Sequence, residues 1–160
     1  MAVMQIRPAL AADAALMLRM IRDLARYERA EDAVQTDEAG LRASLFGPGA
    51  RAHALICEVD TQPVGYAVYF YNYSTWLGRN GLYLEDLYVD PAHRGLGAGK
   101  ALLRHLARQA VAEGCGRFEW SVLDWNQPAI DFYAAAGAQA QDEWTVYRLQ
   151  GEALSKFAAG

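Results

Sequence analysis

The stretch from Leu84 to Lys100 constrains this chain more than any other. Leu84-Glu85-Asp86-Leu87-Tyr88-Val89 has the composition of a strand, Asp90-Pro91-Ala92-His93 turns, and Arg94-Gly95-Leu96-Gly97-Ala98-Gly99-Lys100 opens a helix. In that helix Leu102, Leu103, Leu106 and Ala110 make one apolar stripe that can pack on a sheet. A strand that passes through a glycine loop into a helix collects unbonded backbone N–H groups at the positive end of the helix dipole. That is a ready anion site. Glycine there lets the main chain approach a ligand without a Cβ in the way. Packing of the stripe would hold the helix N-terminus beside the strand that carries Glu85.

Three phosphate-binding patterns compete for this loop. A P-loop needs Gly six positions before its Lys and Ser or Thr after it. Lys100 has Arg94 six positions back and Ala101 next, so that form fails. A dinucleotide fingerprint G-x-G-x-x-G fails too, because Gly95 and Gly97 are followed by Lys100, and Gly97 and Gly99 by Leu102. The surviving form, R-x-x-G-x-G from Arg94, resembles the pyrophosphate loop of the GCN5-related N-acetyltransferases. The competing reading is a glycine-rich strand-to-helix turn with no ligand.

The rest of the chain reads as β-α-α-β-β-β-α-β-α-β, a mixed sheet with helices on its faces. Strands are expected at Ala2–Arg7, His53–Val59, Val64–Tyr73, Leu82–Val89, Phe118–Leu123 and Trp144–Leu149. Helices are expected at Ala14–Arg29 with Asp13 as cap, at Asp37–Phe46 with Thr36 as cap, from the glycine loop to about Glu113, and at Gln127–Ala136. Gly114 and Gly137 end the last two, and a short helix fits Glu152–Phe157. No repeat, low-complexity tract or linker interrupts this order, so residues 1–160 read as one domain.

Composition narrows the class of partner. With 53% hydrophobic and 21% charged residues the chain is an ordinary globular one, and 160 residues can bury roughly 70% of the unfolded surface. A net charge of −4 argues against nucleic acid as a partner and suits a small cation. The N-terminus lacks the pattern of a signal peptide, and no apolar run is long enough to span a membrane. Cys57 and Cys115, without metal-ligand spacing, fit a reducing cytoplasm, with Cys57 a small core residue. His53, His93 and His105 form no cluster, so no metal is expected.

Candidate chemistry gathers around carboxylates and one phenol. An alkyl ammonium, with a pKa near ~10, must lose a proton before it can attack a carbonyl. Glu85 and Asp86 lie on the strand that leads into the loop and, by alternation, on opposite faces. Whichever faces the cleft is the candidate base. A main-chain N–H near Leu87 would polarise a thioester carbonyl if the strand bulges there. Glu28 continues the stripe Met17, Ile21, Leu24 at helical spacing, where it gains nothing from the helix dipole. It sits either at a wet rim or against a cationic ligand, with Tyr27 beside the ligand's aliphatic stem. Asn126, before Gln127-Pro128, suits an N-cap. Tyr133 is either a core aromatic beside Phe132 or a proton donor, since a phenol stays protonated at neutral pH.

The likeness extends beyond the loop. Tyr27-Glu28, Tyr73-Ser74-Thr75-Trp76, Leu82-Tyr83-Leu84-Glu85-Asp86-Leu87-Tyr88-Val89, Leu123-Asp124-Trp125-Asn126-Gln127, Gly137-Ala138-Gln139 and Leu149-Gln150-Gly151-Glu152-Ala153 resemble the diamine acetyltransferases, most of all the thialysine N-ε-acetyltransferase branch. The resemblance implies the GNAT fold, an α/β arrangement with a mixed, mostly antiparallel sheet of six to seven strands and about four helices. It also implies a homodimer with substrate sites near the subunit interface. It makes acetyl-CoA the co-substrate, held at its pyrophosphate by amides from about Gly95 to Lys100 with Arg94 and Lys100 adding charge. Leu87, Tyr88 and Val89 would pair with the pantetheine arm, and Asn126, Pro128, Ala129 and Tyr133 would contact the cofactor. It assigns Glu85 as base, acting through water, and Tyr133 as the acid that protonates the leaving thiolate. Tyr27, Glu28, Ser74, Trp76, Glu85, Asp86, Glu119, Trp120 and Ser121 would surround the substrate.

Polyamine-directed relatives carry an acid where this chain has Ser74, so a lysine-like amino acid with one remote amine gains ground. The stretch between Gly137-Ala138 and Trp144 is shorter than in the animal proteins, and an extra residue lies between Trp76 and Glu85. The expected activity is acetyl transfer to a small primary amine by direct attack in a ternary complex. A protein or peptide N-acetyltransferase and a non-catalytic acyl-CoA sensor are the rival readings.

Overall fold

Alternating apolar residues between His53 and Val89 become three consecutive antiparallel strands. The computed structural model describes all 160 residues. Its elements are β1 (Met4–Pro8), α1 (Ala14–Tyr27), α2 (Glu38–Phe46), β2 (His53–Val59), β3 (Gln62–Ser74), β4 (Arg79–Val89), α3 (Ala98–Ala112), β5 (Phe118–Trp120), α4 (Gln127–Ala135) and α5 (Gly151–Ala159). They form two units, Met1–Ser121 and Val122–Gly160.

In the first unit the strand order is β1-β2-β3-β4-β5, antiparallel throughout except for the parallel pair β4–β5. That parallel step is the one that needs a crossover, and α3 supplies it. The β4–β5 ladder runs only from Leu82–Phe118 to Leu84–Trp120. Beyond it, from Asp86 to Val89, β4 is paired with β3 alone.

Register assigns the faces. On one, Ile56, Tyr66 and Tyr88 form a core cluster with Met17 and Met20 of α1, and Leu45 and Phe46 of α2 pack against it. On the other, Tyr69 and Tyr71 face α3, where the Gln109 side-chain amide donates to both hydroxyls at 3.0 and 2.8 Å. The stripe Leu102, Leu103, Leu106 and Ala110 is buried as its spacing predicts. At about 1.5–3 kcal/mol for each large side chain buried, those leucines fix the N-terminus of α3 beside the sheet. Gly65 is required by close approach: a Cβ there would meet the Tyr88 carbonyl oxygen at 2.4 Å.

The caps differ from expectation. Asp13 precedes α1 but does not cap it with its side chain; its carboxylate turns back to accept from the Leu10 amide (2.7 Å) and the Arg7 guanidinium (2.8 and 3.0 Å). A nearby arginine outcompetes the helix amides for the carboxylate. On α2 the cap is Asp37, accepting from the Gly40 amide at 2.7 Å, and not Thr36.

In the second unit Asn126 caps α4, Gly137 follows its end at φ +94°, and α5 closes the chain. The strand expected at Trp144–Leu149 does not form, which leaves five strands and five helices where six to seven and about four were expected. Its residue types favour extended chain, but a strand needs a partner ladder. Here Trp144, Val146 and Tyr147 stand 71%, 82% and 93% exposed. No helix is long and apolar enough to cross a membrane.

Candidate active site

The acidic pair sits at a break in the strand pattern. Val68 pairs with Asp86 and Tyr69 with Leu84, so Glu85 is an extra residue on β4. Such a bulge interrupts alternation and re-aims side chains. It lies at Glu85, two residues before the position expected near Leu87, which is in register with Ala67. Period two does not hold across an extra residue, so alternation alone does not assign the faces of Glu85 and Asp86. Register with Val68 puts Asp86 on the α1 face, whereas Glu85 is exposed.

Asp86 is half-buried and accepts a hydrogen bond from the Tyr66 hydroxyl, 2.8 Å from Oδ2. Burial raises its pKa above the usual carboxylate range, and the Tyr66 bond opposes that rise. Glu28, immediately after α1, is raised by burial first and by the charge of Asp86 second. Burial thus holds both carboxylates at a disadvantage as anions, and the charge of Asp86 adds to this at Glu28. A cation between them would relieve both.

Where β4 ends, the loop has an open shape. Asp90 Oδ1 accepts from the Ala92 amide at 2.9 Å and begins the turn. Gly95 and Gly97 take left-handed φ values of +87° and +82°, with no atom within 4 Å of where a Cβ would stand. The bond from the Ala101 N–H to the Gly97 oxygen, at 2.9 Å, begins the α3 ladder. The amides of Ala98, Gly99 and Lys100 therefore precede it, at the positive helix end. Bare glycine faces, amides and the cations of Arg94 and Lys100 make a donor set that fits a diphosphate. The Arg94 guanidinium carbon lies 5.5 Å from the Tyr27 ring centroid, a cation–π contact that joins this loop to the end of α1 beside Glu28.

The structure thus brings together Tyr27, Glu28, Asp86 and Arg94 within the first unit. It does not bring Ser74 and Trp76 to them. Ser74 closes the β3–β4 hairpin, its Oγ accepting from the Leu77 amide at 3.2 Å. At ~3.3 Å per residue it lies roughly 20 Å along β3 from Val68, the partner of Asp86. On β5, Glu119 pairs with Arg117 at 3.1 Å and Ser121 bonds the Tyr83 hydroxyl at 2.7 Å, while Trp120 is in register with Leu84. In the second unit Asn126 is buried and its Oδ1 caps α4 through the Ala129 amide at 3.4 Å, the role its place before Gln127-Pro128 suggests. Tyr133 lies in α4 with its ring 5.6 Å from that of Phe132.

One residue escaped the sequence reading. Tyr66 looks like any apolar strand position, and its tie to Asp86 exists only through the β3–β4 register. Cys57 is fully buried and its thiol pKa is pushed up by burial, so it is an inert core residue.

Residues 17–138 match the Acetyltransferase (GNAT) family. A thialysine N-epsilon-acetyltransferase of Bos taurus is 42% identical over 99% of both chains. The spermidine/spermine N(1)-acetyltransferase-like protein 1 of Homo sapiens is 36% identical over 96% of this chain and 24% of its own. Among solved structures, an integron cassette protein from the mobile metagenome of V. cholerae superposes with a TM-score of 0.83 over 98% of both chains at 25% identity. The chain belongs to the GNAT acetyltransferases, within the diamine acetyltransferase family, and is an N-acetyltransferase.

Proposed function

We propose that this protein transfers acetyl from acetyl-CoA to a small primary amine, a thialysine-like amino acid or a diamine, by direct attack in a ternary complex. The observation that carries the reading is the edge of β4. From Asp86 to Val89 it is paired on one side only and runs straight into a loop of open, left-handed glycines. An extended pantetheine arm can add there as a strand, along Leu87, Tyr88 and Val89, while amides from Gly95 to Lys100 take the pyrophosphate with Arg94 and Lys100. Asn126, Pro128 and Ala129 complete the cofactor contacts.

Acetyl-CoA, when bound, would supply an activated thioester. Glu85, exposed at the bulge, takes the ammonium proton through water and so makes the nitrogen nucleophilic. Tyr133 would give its phenolic proton to the departing sulfur as the new C–N bond replaces C–S, and the second proton shed by the nitrogen would restore the phenol. Glu28 and Asp86, short of positive charge, attract the acceptor, and Tyr27 packs on its aliphatic part. Glu119, Trp120 and Ser121 border the same region from β5.

The reading includes a cytoplasmic homodimer built on a single acetyltransferase domain over 1–160. The family match crosses both units, the two cysteines are free thiols, and the exposed Trp144, Val146, Tyr147 and Leu149 give a second copy apolar surface to cover. In a dimer Ser74 and Trp76, remote from Asp86 along their own hairpin, act on the partner's acceptor.

The test is Tyr133→Phe. Turnover should fall by about 10²–10⁴-fold, the range for a lost general acid, with acetyl-CoA affinity retained. Unchanged turnover would remove Tyr133 from the chemistry.

A further inference from the structure

We infer that Tyr66 is a positioning residue for the acceptor amine: its buried hydroxyl fixes the Asp86 carboxylate through Oδ2 and leaves Oδ1 to receive an ammonium group. The inference rests on the amine-acetyltransfer reading and adds a residue to it.

Tyr66 is fully buried in the cluster with Met17, Met20 and Tyr88, so its ring has no freedom to swing away. The 2.8 Å bond to Asp86 is that ring's polar outlet, and a buried phenol needs one. Alternation does not aim Asp86 past the extra residue Glu85, and the bond from Tyr66 on the next strand holds one of its carboxylate oxygens. Tyr66 stands diagonally across the ladder from it, since Tyr66 pairs with Tyr88 and Asp86 with Val68.

The charges facing this pair come from several elements. Glu28 at the end of α1 acts on Tyr66, and the charge of Asp86 acts on Glu28. Asp23 and Arg19 of α1 and Asp90 and Arg94 of the loop act on Tyr88 next door. None of the cations ion-pairs with Asp86. Burial and the neighbouring charges keep the phenol protonated across the physiological range, so it always donates. A donor to the ionised carboxylate lowers its pKa, which counters the rise that burial causes. Tyr66 therefore keeps Asp86 anionic, and so able to bind a cation, further into acid than burial alone allows.

The experiment is Tyr66→Phe, which keeps the ring and deletes the hydroxyl, compared with Asp86→Asn and the double variant. Expected for Tyr66→Phe is a rise of about tenfold in the amine KM at neutral pH, the size of a hydrogen bond to a charged group, with acetyl-CoA KM unchanged. The acidic limb of kcat/KM for the amine should move to higher pH. In the double variant the hydroxyl deletion should add nothing to the effect of Asp86→Asn. An amine KM and acidic limb identical to those of the unsubstituted protein would overturn the inference and leave the transferase reading intact. Equal effects of Tyr66→Phe in the presence and absence of the Asp86 carboxylate would also overturn it, as a merely structural role. Absence of acetyl transfer by the unsubstituted protein to any amine would overturn both readings.

Discussion

Asp13 and Asp86 are both partly buried acids on the same side of one sheet, and the protein treats them in opposite ways. Arg7 reaches Asp13 with two N–H groups and Glu58 with a third, at 2.8, 3.0 and 2.9 Å. The Arg7 bonds, above all, hold the Asp13 carboxyl below its ordinary pKa. Asp86 has a phenol and a neighbouring acid but no cation, and burial holds it above that range. The first carboxylate is satisfied by the fold. The second is left short of a positive charge, at the end of the strand that feeds the glycine loop. A missing counter-ion inside a structure that supplies one elsewhere marks a place for a ligand.

The contrast can be broken first by activity. Asp86→Asn should lower kcat/KM for the amine by about 30- to 1000-fold, the cost of removing one partner from a desolvated charge pair. Asp13→Asn should leave it unchanged. Equal losses from the two variants would erase the distinction.

Stability against pH should separate them next, with opposite signs. The lowered pKa of Asp13 stabilises the fold above the unfolded carboxylate pKa, and that contribution is lost as pH falls through the folded value. Asp13→Asn should therefore destabilise by about 1–3 kcal/mol at neutral pH, and the loss should vanish in acid, as read by denaturant melts. Asp86 works in reverse. Its raised pKa means that stability declines as pH climbs from the ordinary carboxylate value through the raised one. Asp86→Asn should then match or exceed the parent at neutral pH, by up to about 1 kcal/mol, and lose that advantage in acid. A destabilised Asp86→Asn at neutral pH would mean that the carboxylate serves the fold.

The smallest effect sharpens the structural side. Arg7→Lys keeps the charge but loses the fork that serves two acids. It should lower stability by about 1 kcal/mol and leave acetyl transfer rates alone.

Much of this site was legible in the residues. Glycines between a strand and an apolar-striped helix fix a loop whose form follows from local chemistry, and Gly95, Gly97 and the α3 leucines fell where the spacing put them. Glu28 could be read at the end of α1 because helical periodicity carries it there. What sequence could not supply were relations across strands. The bulge at Glu85 comes from the register of β4 against β3, and so does the bond from Tyr66 to Asp86. Ser74 read as a substrate residue, yet its distance from Asp86 depends on how far the hairpin extends. Trp144–Leu149 shows the same limit from the other side. Its alternation and aromatics resemble those of β4, but β4 has β3 beside it along its length, and this segment has no ladder. Propensity proposes a strand; a neighbour makes one.

The most direct test of the account is the initial rate of thiol release from acetyl-CoA across lysine-like amino acids, diamines, polyamines and peptide N-termini. The account predicts the highest kcat/KM for short primary amines of the first two kinds. Peptides exceeding them, or no thiol release with any small amine, would contradict it.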